Sequence, residues 1–277
     1  IKTHKPKAIF NLAAETHVDR SIDLPNEFMM TNIIGTHTVL GESLAYWNKL
    51  PDKDKHSFRF IQVSTDEVYG SNEDGFATEE APFKPNSPYA ASKAAGDHLV
   101  RAYQQTYHLP TIVTHGCNTF GPRQHPEKFI PRLILRGLTG QTLPVYGDGS
   151  NIREWISVKD HANGIISAWK IGSPGQAYNL GSGTGLTNIE VATLLCKALG
   201  LNENSAIKFV EDRPGHDKRY AMDCSKSRNQ LKWDPNTDFA LLLRLMVDWY
   251  QDNPNWWKPI TRSEYKLGRL GIGKVSD

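Results

Sequence analysis

Phe58-Arg-Phe-Ile-Gln-Val-Ser64, then Pro88-Tyr-Ala-Ala-Ser-Lys93 running on to Tyr107, then Thr111-Ile-Val-Thr114: these stretches decide the fold. The first is a short apolar run of strand length. The second opens with a proline at a helix start, and its pattern predicts a long helix to about Tyr107. The third is a short run rich in β-branched residues, again a strand. Strand, helix and strand in that order are the grammar of a parallel sheet. Working outward, Ala8-Ile-Phe-Asn-Leu-Ala-Ala14 is an apolar run ending in small residues, which predicts an earlier buried strand. Asn26 to about Leu44 carries Phe28, Ile33, Val39, Leu40 and Leu44 at helical spacing after a turn at Leu24-Pro25, which predicts the helix between them. The first half therefore predicts an α/β fold built on a doubly wound parallel sheet.

The second half is less regular. Gly121-Pro122, Gly147-Asp148-Gly149, Gly181-Ser182-Gly183 and Arg213-Pro214-Gly215 separate shorter elements. Helices are predicted at Lys128–Arg136, Val158–Trp169, Asn188–Leu199 and Phe239–Tyr250. This pattern reads as a smaller mixed α/β region. The expected division is 1–121 for a partial cofactor-binding domain, 122–260 for a region that chiefly binds substrate and returns segments to the first, and 261–277 for a tail. Trp256 and Trp257 are expected at a core edge.

Lys and Arg number 32 against 30 for Asp and Glu. That balance lacks the electrostatic footprint of a nucleic-acid or anionic-membrane binder. The cysteines, at 117, 196 and 224, form no CxxC pair. Such a count argues against a disulfide framework or a structural metal site and fits a reducing cytoplasm. No apolar run reaches membrane-span length.

The chemistry centres on Tyr89 and Lys93. Four residues apart on a helix, they share one face. An ammonium beside a phenol favours the phenolate, so the spacing predicts a tyrosine pKa lowered toward alcohol-deprotonating range. By itself a YxxxK is more often an exposed helical pair. Here it follows a strand that ends in Ser64 and Thr65, whose hydroxyls are placed to bind the same substrate alcohol. Asp66 and Glu67 come next, where an open α/β sheet places its ligand. Adjacent carboxyls can supply one general acid and one general base, which the elimination of water beside a ketone requires.

The chain resembles the extended short-chain dehydrogenase/reductases, and within them the dTDP-glucose 4,6-dehydratase family. The resemblance rests on Asn11-Leu-Ala-Ala-Glu-Thr-His-Val-Asp-Arg-Ser21, Ser64-Thr-Asp-Glu-Val-Tyr-Gly70, Ser87-Pro-Tyr-Ala-Ala-Ser-Lys93 and Asn118-Thr-Phe-Gly-Pro122. It continues in Pro126-Glu-Lys-Phe-Ile-Pro131, Leu143-Pro-Val-Tyr-Gly-Asp-Gly149 and Asp212-Arg-Pro-Gly-His-Asp-Lys-Arg-Tyr220. YxxxK is common to the superfamily; the Thr-Asp-Glu, Pro-Glu-Lys and Arg-Pro-Gly-His blocks are more selective.

The resemblance implies a Rossmann-type fold, NAD as cofactor, dTDP-glucose as substrate and a homodimer. It implies that Tyr89, with Thr65 and Lys93, deprotonates the sugar 4-hydroxyl, that Glu67 removes the C5 proton and that Asp66 protonates the departing 6-hydroxyl. Leu12, Ala13, Ala14, Thr16 and Thr31, with Tyr89 and Lys93, are the implied cofactor contacts. Thr16, Asn118, Lys128, Pro144, Tyr146, Arg153, Asn188, Arg213 and His216 are the implied substrate contacts. Of these, Asn188 can equally be the cap of the helix beginning near Ile189. His17, His98 and His161 are expected to be packed or exposed rather than ligands, and Tyr103 with Tyr107 to be helix surface or subunit contact.

The family opens with a strand, a glycine-rich turn and a helix that grip the cofactor diphosphate. No such motif precedes residue 8, and Gly181-Ser-Gly-Thr-Gly185 comes too late to replace it. The resemblance therefore implies an N-terminal truncation of roughly 70 residues. Rival readings are a 4-epimerase, a dehydratase of UDP- or GDP-sugars, and a non-catalytic sugar-nucleotide-binding fragment. An epimerase does not need the Asp66–Glu67 pair.

Overall fold

Strand β1 (Ala8–Asn11) pairs in parallel with β2 (Arg59–Thr65), Ile9 opposite Phe60 and Asn11 opposite Gln62, in a computed structural model that describes residues 1–236, 238–263 and 267. β1 ends earlier than its apolar run predicts. Asn11 turns its amide onto Gln62 (2.9 Å) within the sheet, and Leu12 and Ala13 leave it for solvent. Between the strands lie α1 (Val18–Asp23), α2 (Pro25–Phe28), a π-helical stretch Met29–Gly35, α3 (Thr36–Trp47) and α4 (Asp52–Lys55). The predicted single helix is thus helical throughout but carries a wide turn in its middle. At that turn Asn32 reaches sideways to the Glu15 backbone and to Ser92 Oγ (2.8 Å). Wide turns of this kind are frequent at functional sites.

After β2 a 3₁₀ turn (Asp66–Tyr69) ends at Gly70, whose φ of +75° suits glycine; a Cβ there would strike the Lys84 carbonyl. Helix α5 (Pro88–Tyr107) has the predicted bounds. Ser87 Oγ accepts the Ala90 N–H (3.1 Å), Pro88 fills the first position, and His108 closes the end in the left-handed region. β3 (Thr111–Gly116) pairs in parallel with β2, placing His115 opposite Ser64.

There follow β4 (Asn118–Phe120), α6 (Phe129–Leu138), β5 (Leu143–Tyr146), β6 (Ile152–Ser157), α7 (Val158–Ile171), β7 (Ala177–Leu180) and β8 (Gly185–Thr187). The remaining elements are α8 (Asn188–Leu199), α9 (Glu203–Ala206), β9 (Ile207–Val210), α10 (Ser225–Leu231), α11 (Phe239–Asp252) and α12 (Pro254–Ser263). β7 returns to the first sheet, whose order is β1-β2-β3-β7; β4-β6-β8 and β5-β9 form two smaller sheets.

Helices cover both faces of the four-stranded sheet. Leu40, Phe60, Val100 and Leu109 pack on the α3/α5 side, and Ile112, Tyr178, Leu180 and Trp233 on the α7/α10 side. This is the doubly wound arrangement. A separate core joins α6, α8 and α11 through Leu133, Leu195, Met246 and Tyr250, with Trp257 buried at its edge as expected. Most of the expected tail lies outside the described residues.

Candidate active site

At the C-terminal end of β2, three consecutive residues engage one face of α5. Lys93 Nζ donates to the Val63 carbonyl (2.7 Å), Ser64 Oγ donates to Asp97 (2.5 Å), and Thr65 hydrogen-bonds Tyr89. Tyr89, Lys93 and Asp97 are spaced four apart, so one helical stripe meets one strand end. Thr65 also caps the 3₁₀ turn by accepting the Glu67 N–H (3.3 Å) and donates to Asp66 Oδ1 (3.1 Å). The five predicted catalytic residues are thus brought together.

The electrostatics differ from the expectation at Tyr89. Its phenol pKa is raised rather than lowered, first by burial and then by the Glu67 charge, with the Thr65 hydrogen bond opposing. Lys93 spends its hydrogen bond on Val63, and burial lowers its own pKa while Asp97 raises it. Both carboxyls are raised, against different sets of neighbouring charges. Burial, then the Glu67 and Glu154 charges, hold Asp66 well above the ordinary carboxylate range. Burial also raises Glu67, but Arg213, Arg153 and Lys128 pull it back toward the ionised form. Neighbouring carboxyls in unlike environments are the arrangement that divides acid from base.

In front of Glu67 opens a cavity of about 200 Å³. Every predicted substrate contact lines it: Thr16, Asn118, Lys128, Pro144, Tyr146, Arg153, Asn188, Arg213 and His216. The wall is cationic and tied across long sequence separations. Lys128 Nζ donates to Thr16 Oγ1 (2.8 Å), Tyr146 donates to Asp19 (2.7 Å), and Arg213 Nη1 lies 3.5 Å from Asp19. That Arg213 nitrogen and Arg132 Nε are buried with no hydrogen-bond partner among the described residues, a donor surplus that suits an anionic ligand. Arg153 is buried on the Asp217 carbonyl (2.7 Å), its guanidinium 4.1 Å from the centre of the Tyr220 ring. Asn188 is not the helix cap: Thr187 is, in a reciprocal capping box with Glu190, which leaves Asn188 in the first turn facing the cavity.

Several wall residues escaped the sequence reading. His17, set aside there, caps α1 and lines the cavity; burial, then Lys128 and Arg20, lower its pKa to about 3, so it is neutral. Arg132 and Trp155 are also in the wall. Tyr220 donates to Asp217 (2.7 Å) and touches Glu67 (3.4 Å); its place at the end of the quoted Asp212–Tyr220 block was the available clue. His98 is exposed against Phe83 and His161 is packed, as expected.

The predicted cofactor contacts gather at the C-terminal edge of the sheet. Leu12 and Ala13 are exposed beyond β1, and Asn32 holds the adjoining loop against Ser92, whose hydroxyl bonds the Tyr89 carbonyl. Thr31 lies beside Asn32 on the π-helical stretch, and Ala14 leads into Thr16 at the cavity. An exposed strip of small and apolar residues, joined through Asn32 and Ser92 to the Tyr89 backbone, fits a flat ring of a dinucleotide. Among the described residues no acid, histidine and cysteine cluster could hold a metal ion, and no helix is long and apolar enough to cross a membrane.

Comparison with known proteins agrees with this geometry. Residues 1–246 match the family profile described as GDP-mannose 4,6 dehydratase. The dTDP-glucose 4,6-dehydratase of Neisseria meningitidis is 47% identical, over 98% of this chain and 80% of its own length. That of Escherichia coli is 44% identical, over 97% and 80%. Among solved structures, the Streptomyces venezuelae dTDP-glucose 4,6-dehydratase DesIV, crystallised with NAD, superposes with a TM-score of 0.85 at 45% identity, covering 91% of this chain and 76% of DesIV. A Thermotoga maritima UDP-glucose 4-epimerase superposes at 0.82 with 27% identity, over 91% and 80%. The chain belongs to the dTDP-glucose 4,6-dehydratase family, on the Rossmann-type fold that this family shares with the sugar-nucleotide epimerases.

Proposed function

We propose that the chain converts dTDP-glucose to dTDP-4-keto-6-deoxyglucose, with residues 1–121 chiefly serving the cofactor and 122–260 chiefly the substrate. The observation that carries this reading is the Asp66–Glu67 pair, with unlike environments at the mouth of a cationic cavity. Tyr89, assisted by Thr65, takes the proton of the sugar 4-hydroxyl. Leu12, Ala13, Ala14, Thr16, Thr31, Tyr89 and Lys93 would hold NAD, which would supply a hydride acceptor for C4 and later a hydride donor for C6. Once C4 is a ketone, the C5 proton is acidic and Glu67 removes it. Asp66, held protonated, donates to the departing 6-hydroxyl, so one water leaves. Glu67 returns its proton to C5 as C6 is reduced; the proton that Tyr89 took from the 4-hydroxyl is released and Asp66 takes one up, which restores both groups. Arg153, Arg213 and Lys128 meet the diphosphate, and Pro144 with Tyr146 flanks the base. Asn118, Asn188 and His216 complete the wall.

The test is incubation of the enzyme with dTDP-glucose and NAD, followed by mass spectrometry and NMR of the sugar. Loss of one water with a methyl group at C6 is expected; unchanged substrate, or a C4 epimer, overturns the reading. The exposed apolar side chains of Met30 and Ile34 on the π-helical stretch and of Tyr107 at the end of α5 support a homodimer. Sedimentation at micromolar concentration tests this, and a monomer overturns it.

A further inference from the structure

Behind the catalytic corner lies a chain of buried polar groups that the proposed reaction does not use. Asn179 Nδ2 donates to the carbonyls of Ala77 (3.0 Å) and Asp223 (3.1 Å), which leaves its Oδ1 to accept the Tyr69 hydroxyl (2.9 Å). A phenol has one proton. Given to Asn179, it leaves Tyr69 able only to accept from His115 Nδ1, 2.9 Å away, so Nδ1 carries a hydrogen. His115 Nε2 lies 3.3 Å from Asp97 Oδ2, the oxygen that also accepts from Ser64. Both residues are almost wholly buried, at 1% and 3% exposure, and neither His115 Nε2 nor Asp97 Oδ1 has a hydrogen-bond partner among the described residues, so the two side chains meet by close packing in the middle of this chain.

This chain grips the acid-bearing turn from its far side. Thr65, at the start of the turn, is held by Tyr89; Tyr69, at its end, is held by His115. Asp97 joins the two ends, since it bonds Ser64 and sits one helical turn from Lys93. The Phe83 ring packs edge-on against both Tyr69 and His115.

We propose that Asp97 and His115 act as positioning residues, fixing Asp66 and Glu67 relative to Tyr89. The proposal deepens the dehydratase reading and rests on it. In a single turnover with NAD and dTDP-glucose, C4 oxidation reads as transient NADH absorbance and water loss by quenched mass spectrometry. In Asp97→Asn and His115→Gln, misplacement of the turn is expected to slow water loss about 10- to 100-fold, while C4 oxidation and substrate KM stay within about threefold. Transient NADH then rises above the parent level. The double variant is expected to be no worse than the poorer single one, because both act through one contact. Tyr69→Phe keeps the ring packing and cuts the chain at one hydroxyl; it is expected to move in the same direction by less, and it carries the test if the pair variants do not fold.

Equal slowing of both steps, or water loss within about twofold of the parent in Tyr69→Phe and in whichever pair variant folds, overturns the proposal. Nitrogen-15 NMR of the histidines tests the chain apart from the reaction. A protonated His115 Nδ1 is expected, and a bare one overturns the link from Tyr69 to His115. If dTDP-glucose is not dehydrated by the parent enzyme, the reaction reading has failed while the NMR result still decides that link.

Discussion

The catalytic corner and the substrate wall meet at Glu67 but are built in opposite ways. The corner is local: one strand end, one 3₁₀ turn and one stripe of α5 supply all its groups. It is dry, and burial is the first cause of every pKa displacement there, upward for Asp66, Glu67 and Tyr89 and downward for Lys93. The wall is assembled from distant segments, with Thr16 tied to Lys128 and Asp19 to Tyr146 and Arg213. Its charge is cationic, and Arg132 Nε makes no hydrogen bond among the described residues. The difference teaches that proton transfer and anion binding are divided in space, with Glu67 at their junction: burial raises its pKa and Arg213, Arg153 and Lys128 oppose that rise, whereas at Asp66 the pull of Arg153 is set against burial and the charges of Glu67 and Glu154.

The largest expected effects test the corner by separating its two proton tasks. Tyr89→Phe is expected to lose about 10²–10⁴-fold in rate with no NADH formed, since C4 oxidation fails. Glu67→Gln is expected to lose as much overall yet accumulate bound NADH on addition of dTDP-glucose, because oxidation proceeds and elimination does not. Stopped-flow absorbance distinguishes them. The same optical trace from both variants would break the division of labour.

Next comes the wall. Arg213→Ala removes a charged donor facing the ligand, and such hydrogen bonds contribute about 1.5–3 kcal/mol. Sugar-nucleotide KM is expected to rise about 10- to 100-fold, with a smaller change in kcat. A fall confined to kcat would mean that Arg213 acts mainly through Glu67, whose ionisation it favours, and would merge the two regions.

A smaller effect, on stability, follows from the corner's dryness. The raised pKa of Asp66 means that its carboxyl favours folding only in the protonated form. That contribution is complete below the unfolded value, near the ordinary carboxylate range, and is lost as pH rises through the folded one. Asp66→Asn is therefore expected to be inactive but more stable at neutral pH, by about 2–4 °C in Tm for each kcal/mol relieved. The gain should fade toward pH 3. A destabilised Asp66→Asn at pH 7 would show that the hydrogen bond from Thr65 outweighs burial.

Much of the corner was legible because it is contiguous. Ser87-Pro88 announces α5, and the four-residue spacing of Tyr89 and Lys93 fixes a common face whatever the rest of the chain does. What lay beyond the sequence is where the lysine proton goes. The expected Tyr89–Lys93 coupling assumed an isolated helix, whereas the neighbouring strand offers the Val63 carbonyl at 2.7 Å. In the wall, motif resemblance found the residues inside quoted blocks. Arg132 and Trp155, on a helix and strand whose periodicity reads as ordinary packing, became wall residues only through the tertiary arrangement. The wide turn at Met29–Gly35 was equally hidden, since a π-helical insertion leaves the apolar spacing almost unchanged.

The smallest effect on rate concerns histidines, and it sharpens the comparison through pH. In the wall, burial followed by Arg213 and Arg153 lowers His216 to about 4, against the pull of Asp212. Behind the sheet, burial alone lowers His161 to about 4, its Nδ1 against Thr119 Oγ1 (2.7 Å). Both are neutral when folded and ordinary when unfolded. Each contributes stability above the unfolded value near 6.5, and that contribution is lost as pH falls toward 4. Binding should not follow: the affinity of the Tyr89→Phe variant for dTDP-glucose, whose diphosphate takes up no proton in this range, is expected by calorimetry to show no His216 titration between pH 8 and 5. Stability by urea denaturation should fall across pH 6.5 to 4.5, and His161→Asn should flatten the fall. A shift from 6.5 to about 4 corresponds to about 3 kcal/mol at most. His161→Asn should leave kcat nearly unchanged, since the residue touches neither the corner nor the wall. Affinity rising through a midpoint near pH 6.5 would mean that His216 is protonated in the complex, making it one of the wall's cations rather than a neutral spacer between them.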